Sequence, residues 1–116
     1  MKIVHTVHED IMQISLEGHL DATTSVEADN DFTQIIESGK SKLLVDLSEL
    51  SYISSAGLRV LLVAAKQLQQ KAGKIVLCSM TPSVKEVFEI SGFSSIFKIV
   101  PTVDEALEIM QRQNLE

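Results

Sequence analysis

Apolar and polar positions along the chain mark out its elements. Residues 2–8 and 11–17 read as two strands joined by a tight turn at Glu9-Asp10. The second alternates: Met12, Ile14 and Leu16 fall on one face, Gln13, Ser15 and Glu17 on the other. Such alternation belongs to a strand with one dry face and one face wet or thinly covered. Gly18 ends the pattern. Thr24-Ser-Val-Glu27 has the form of a capping box, with a glutamate three residues after a threonine. Ala28, Phe32, Ile35 and Ile36 follow at helical spacing. A helix is therefore expected over about residues 24–37, closed by Gly39.

Leu43-Leu-Val-Asp-Leu47 is a continuous apolar run, the mark of a central strand covered on both faces. A polar loop comes next. Leu58, Leu61, Leu62, Ala65 and Leu68 then form the stripe of a second helix, with Gly73 placed to close it. Lys74 to Ser79 is another central strand. Thr81 caps a third helix, and Pro82 takes its first position, where the missing N–H costs nothing. Val84, Val87 and Phe88 form its apolar face and Gly92 its end. Residues 96–100 are a last strand. Thr102-Val-Asp-Glu105 is a second capping box, and Val103, Ala106, Leu107 and Met110 turn the final helix inward.

The order is β-β-α-β-α-β-α-β-α. Strand–helix–strand units with such short connections imply parallel neighbours and right-handed crossovers. The opening hairpin adds an antiparallel pair. The expected fold is α/β, with a mixed, mostly parallel sheet, in a single domain over residues 1–116.

Composition narrows the function classes. The 116 residues fit one domain, and 45% apolar with 22% charged residues describes a globular chain. No run of about 18 apolar residues is present, so no membrane-inserted helix is expected. The segment Met1-Lys-Ile-Val-His-Thr lacks the apolar stretch of a signal peptide. The net charge is −6, and the 10 basic residues are scattered singly. Nucleic acid is therefore not an expected partner, since it calls for a clustered positive face. The single cysteine, Cys78, lies in an apolar strand-like run, as a buried thiol would, and excludes an internal disulfide. A cytoplasmic location and a monomeric free state are the expectations.

Most candidate chemistry falls away on spacing. His5 and His8, three apart in a strand, point to opposite faces, and His19 is at the far end of the next strand, so no metal site is expected. Gly39-Lys-Ser41 resembles the end of a phosphate-binding loop, but Gln34 stands where a glycine is needed and helix precedes strand. Asp21 and Asp46, near strand ends, could hold Mg²⁺ or exchange protons, or could serve as turn formers and caps. A serine hydrolase is disfavoured because every histidine precedes residue 20 and no G-x-S-x-G elbow occurs.

Ser54-Ser55-Ala56-Gly57, between the polar loop and the second helix, remains. A serine there can accept a bond from a free helix N–H, and the same free N–H groups and positive dipole end suit a phosphate. On the residues alone both uses stay open: a cap with a close-packed glycine, or a phosphoacceptor.

Larger segments carry a resemblance. They are Gly18-His-Leu-Asp21, Val45-Asp-Leu-Ser48, Tyr52-Ile-Ser-Ser-Ala-Gly-Leu58, Gly73-Lys-Ile-Val-Leu77 and Pro82-Ser-Val-Lys-Glu-Val-Phe88. Nearly end to end, the chain resembles a STAS domain of the bacterial anti-sigma factor antagonist (anti-anti-sigma factor) type. The resemblance implies a protein that is not an enzyme, needs no cofactor, and binds an anti-sigma factor that is also a serine kinase. By position it implies phosphorylation at Ser55, with Ser54 as second choice, and a phosphatase that resets it. It places Asp21, Ser54, Ser55, Ala56, Gly57, Leu58 and Arg59 on the partner-binding surface. Ser54 stands where the family often has aspartate. The same domain type also serves as a docking subunit of lipid-transport ABC systems and in signalling scaffolds, without phosphorylation. A small hydrolase or nucleotide-binding enzyme built on Asp21, Asp46 and Ser55 is a third reading.

Overall fold

The computed structural model describes residues 1–113; the last three residues of the expected 1–116 domain lie outside the described residues. Chain order is β1 (Lys2–His8), β2 (Ile11–Leu20), α1 (Ser25–Glu37), β3 (Lys42–Asp46), β4 (Leu50–Ile53), α2 (Ser55–Gln70), β5 (Lys74–Cys78), α3 (Pro82–Ser91), a 3₁₀ turn (Phe93–Ser95), β6 (Lys98–Val100) and α4 (Val103–Gln113). The sheet runs β1-β2-β3-β5-β6, and β4 pairs with the end of β2. The β1–β2 pair is antiparallel and every other pair is parallel, as the pattern predicts.

Strand periodicity stacks the layers. Ile14, Leu16, Leu43, Val45 and Leu77 point to one face, where they pack with buried residues of α1, α2 and α3. Leu44, Val76, Cys78 and Val100 point to the other, against Ala106 and Met110 of α4. Successive residues of β3 thus go to opposite cores, which is why its sequence is an unbroken apolar run. Burial pushes the Cys78 thiol up to about 11, with the Asp46 carboxylate adding to the rise, so it stays protonated at neutral pH. The polar face of β2 carries a hydrogen-bonded row: His8 Nε2 with Gln13 Oε1 at 2.7 Å, Gln13 Nε2 to Ser15 Oγ at 3.1 Å, and Ser15 Oγ to Asp46 Oδ2 at 3.3 Å.

Several local expectations need correction. Within the segment read as a polar loop, Leu50–Ile53 forms β4, adding one strand to the expected order. Strand β2 does not end at Gly18; it bends there (φ +104), shifts register and runs on to Leu20 beside β4. Thr24 precedes α1, but its side chain caps no helix N–H. Its hydroxyl donates to His19 O (2.8 Å) and accepts from Asp21 N–H (2.9 Å), so the preceding turn takes the group that a capping box would use. At the end of α2 the left-handed residue is Ala72 (φ +56), not Gly73. Gly73 is needed for space instead: a Cβ there would lie 2.4 Å from Ser41 O.

Candidate functional site

Two loops meet at the C-terminal ends of β2 and β4. The first begins with Asp21, whose Oδ1 accepts from the N–H groups of Thr23 (2.9 Å) and Thr24 (3.0 Å). The Thr24 amide, with help from the Thr23 amide and the Thr24 hydroxyl, holds the Asp21 carboxyl below its ordinary range. The second loop is the β4–α2 junction. Ser54 is extended (φ −99, ψ 176) and its Oγ accepts from Gly57 N–H at 3.3 Å, so the cap of α2 is Ser54. Its backbone N–H donates to Leu20 O at 2.9 Å, tying the helix start to the residue before Asp21.

Gly57 explains the small residues of the motif. The first turn of α2 lies directly on the end of β2. A Cβ on Gly57 would stand 2.7 Å from Leu20 O and 2.8 Å from side-chain carbons of both Leu20 and Ile53. Only glycine lets the helix come this close. Leu58 is buried behind it at 5% exposure and is a core residue rather than an outward-facing one.

Ser55 is then the first residue of α2 and is exposed. Its hydroxyl makes no hydrogen bond among the described residues, since the capping task belongs to its neighbour. Ala56 is half-buried and Arg59 exposed, one turn further along the same helix. On one flank, Ala56, Arg59, Val60 and Val63 of α2 face Val26 and Asp29 of α1 across a groove of about 320 Å³. Val26 is 65% exposed there. On the other flank, half-exposed Tyr52 of β4 meets the His19 ring edge-on, with centroids 5.9 Å apart. Sequence reasoning did not single out Val26 or Tyr52. Their signal, an apolar side chain outside its element's buried stripe, emerges once the faces are known.

The structure brings Asp21, Ser54, Ser55, Ala56, Gly57 and Arg59 to one end of the sheet. Asp46 stands apart. It pairs with Ser15, six positions before Asp21 along β2, or roughly 20 Å back along the strand at the usual rise per residue. It accepts from Ser48 N–H and Ser15 Oγ. The two aspartates thus shape separate turns and form no joint acid–base or cation site. His5 and His8 are likewise engaged apart, with Asp31 and Gln13.

Fold and site together describe a small α/β domain with a free serine hydroxyl at the head of a tightly seated helix. Comparison with known proteins agrees. The family model of the STAS domain matches residues 2–106. A Bordetella bronchiseptica protein named as the anti-sigma factor antagonist BtrV is 39% identical over 106 residues, covering 91% of each chain. A Thermotoga maritima protein described as an anti-sigma factor antagonist superposes with a TM-score of 0.89, at 22% identity over 94% of both chains. The phosphorylated form of the Bacillus cell fate determinant SpoIIAA superposes with a TM-score of 0.73, at 22% identity over 94% of this chain and 99% of that one. The chain belongs to the STAS domain family, with the anti-sigma factor antagonists. Among the described residues, no helix is long and apolar enough to cross a membrane.

Proposed function

We propose that the protein is an anti-sigma factor antagonist that works by partner switching. The unmodified chain binds an anti-sigma factor that is also a serine kinase, and the sigma factor is released. The kinase then moves the γ-phosphoryl group of ATP to Ser55. The Oγ–P bond forms as the bond to ADP breaks, and the hydroxyl proton leaves to a base on the kinase. The phosphorylated chain no longer binds, and a phosphatase restores it by hydrolysis.

The observation that carries this reading is the division of labour between the two serines. Ser54 caps α2, which leaves the exposed Ser55 hydroxyl without a structural task. The phosphorylated form of SpoIIAA, a protein of the same fold, supports it by analogy. The energetics suffice. A phosphate adds about −1.5 to −2 charges at pH 7. At a helix N-terminus that charge is stabilising by up to ~2 kcal/mol, so the fold survives. At an interface shaped around a neutral hydroxyl, an unpaired charge costs several kcal/mol. Moving an affinity from micromolar to millimolar takes only about 4 kcal/mol.

The test is a pull-down from source lysate with the native chain, Ser55→Ala and Ser55→Asp as parallel baits. An ATP-binding serine kinase held by the first two and weakly by the third is the expected result. A transporter ATPase held equally by all three would make the protein a docking subunit and leave Ser55 without a switching role.

A further inference from the structure

Ser55 and Arg59 stand four positions apart on α2, and both are exposed. Helix residues at that spacing lie one above the other. A helical side chain leans towards the N-terminus and covers the turn before its own Cα. The reach of Arg59 is therefore over the turn that carries Ser55. The order is also the favourable one, with the site of negative charge N-terminal to the cation. Arg59 is uncommitted: it forms no ion pair or hydrogen bond among the described residues, and neither does Asp29 across the groove. No other cation occurs on α2 before Lys66. Other charged or titratable groups at this end are Asp21, whose carboxylate is engaged by its own turn, His19, packed on Tyr52, and the Met1 amine, on the far side of Asp21, where Met1 lines a pocket with Gly18, His19 and Asp21.

On the reading that Ser55 is the phosphoacceptor, we propose that Arg59 captures the Ser55 phosphate within the same molecule. The planar guanidinium fork matches two phosphate oxygens. Phosphorylation then changes this surface twice: it adds a dianion and withdraws the cation that the unmodified surface presents. A partner that reads Arg59 in the unmodified protein loses its contact at the same moment that it meets the new charge.

The experiment needs no kinase. Phosphoserine is placed at position 55 during translation, and the phosphate is titrated by ³¹P NMR in the full chain and in its Arg59→Lys and Arg59→Gln variants. The second ionisation is expected to lie about half a unit lower with Arg59 than with Arg59→Gln, roughly a threefold change in proton affinity. Arg59→Lys should retain part of that difference, and 1 M salt should narrow it. Superimposable titrations of the Arg59 and Arg59→Gln proteins would overturn the capture. Phosphopeptide mapping of protein from its own cells tests the phosphoacceptor separately. A phosphate found on another residue would remove the parent reading whatever the titration shows.

Discussion

Helices α2 and α3 begin alike and end up with different capabilities. Each follows an extended residue whose hydroxyl accepts from the N–H three residues on: Ser54 from Gly57 at 3.3 Å, Thr81 from Val84 at 3.4 Å. The first helical residue is Ser55 in one and Pro82 in the other. The third is Gly57 in one and Val84 in the other. Proline fixes the start of α3 and offers neither N–H nor hydroxyl, and Val84 fills the core beneath it. In α2 the glycine draws the helix onto β2, and the first position is left to an exposed hydroxyl. The same capping device thus serves anchorage in α3 and leaves an exposed hydroxyl at the head of α2.

Substitution at the third helical position breaks this comparison most severely. Gly57→Ala forces a methyl against a backbone carbonyl and two core side chains, and should cost about 3 kcal/mol. Val84→Ala leaves a partly empty site and should cost about 2 kcal/mol. Urea unfolding of both variants checks the pair. A Gly57→Ala protein as stable as the parent would show that α2 is not pressed onto Leu20.

The caps come next. Ser54→Ala should cost about 1 kcal/mol. Thr81→Ala should cost more, about 2 kcal/mol, because the Thr81 hydroxyl also donates to Leu50 O at 3.1 Å. Ser55→Ala should stay within about 0.5 kcal/mol of the parent, as an exposed residue free of such tasks. Equal losses in Ser54→Ala and Ser55→Ala would erase the division of labour between the serines.

The far ends of the two helices sharpen the contrast. Helix α3 closes on Gly92 in the left-handed region (φ +81), whereas α2 uses Ala72 (φ +56). Ala72→Gly should raise stability by about 0.5 kcal/mol, since the relief of left-handed strain outweighs the added chain entropy. Gly92→Ala should lower it by about 1 kcal/mol. Thermal midpoints of the two variants should therefore move in opposite directions.

The smallest effect is the acid limb of stability at the Asp21 turn. Its carboxyl is held below the ordinary range in the folded chain, so folding favours the ionised form. That contribution is complete above the unfolded value, about 3.9, and is lost as pH falls through the lower folded value. The stability gap between the parent and Asp21→Asn should therefore close on acidification. A gap independent of pH would assign the turn to geometry alone.

Features written in local chemistry were legible in the sequence, such as the Thr81-Pro82 start, the Gly92 end and the two-faced run of β3. Those decided by competition between neighbours were not. Thr24 had the form of a cap, but the backbone of its own turn claimed the hydroxyl. Strand β4 was hidden because only Leu50 and Ile53 of its residues are buried, a spacing of three that breaks strand alternation. Its pairing with β2 exists only in the tertiary structure. At the site, the serine pair and the packing glycine could be read locally. Which serine caps could not, because it follows from the extended backbone of Ser54, and neither could the meeting of the motif with Leu20 and Asp21, because the Ser54 N–H bond to the end of β2 sets it.

The most direct test of the central claim is the affinity of the purified partner kinase for three forms of this chain: unmodified, Ser55→Ala and phosphoserine at position 55. Calorimetry should give matching affinities for the first two and about a thousandfold weaker binding for the third. Equal affinity for all three would contradict switching at Ser55.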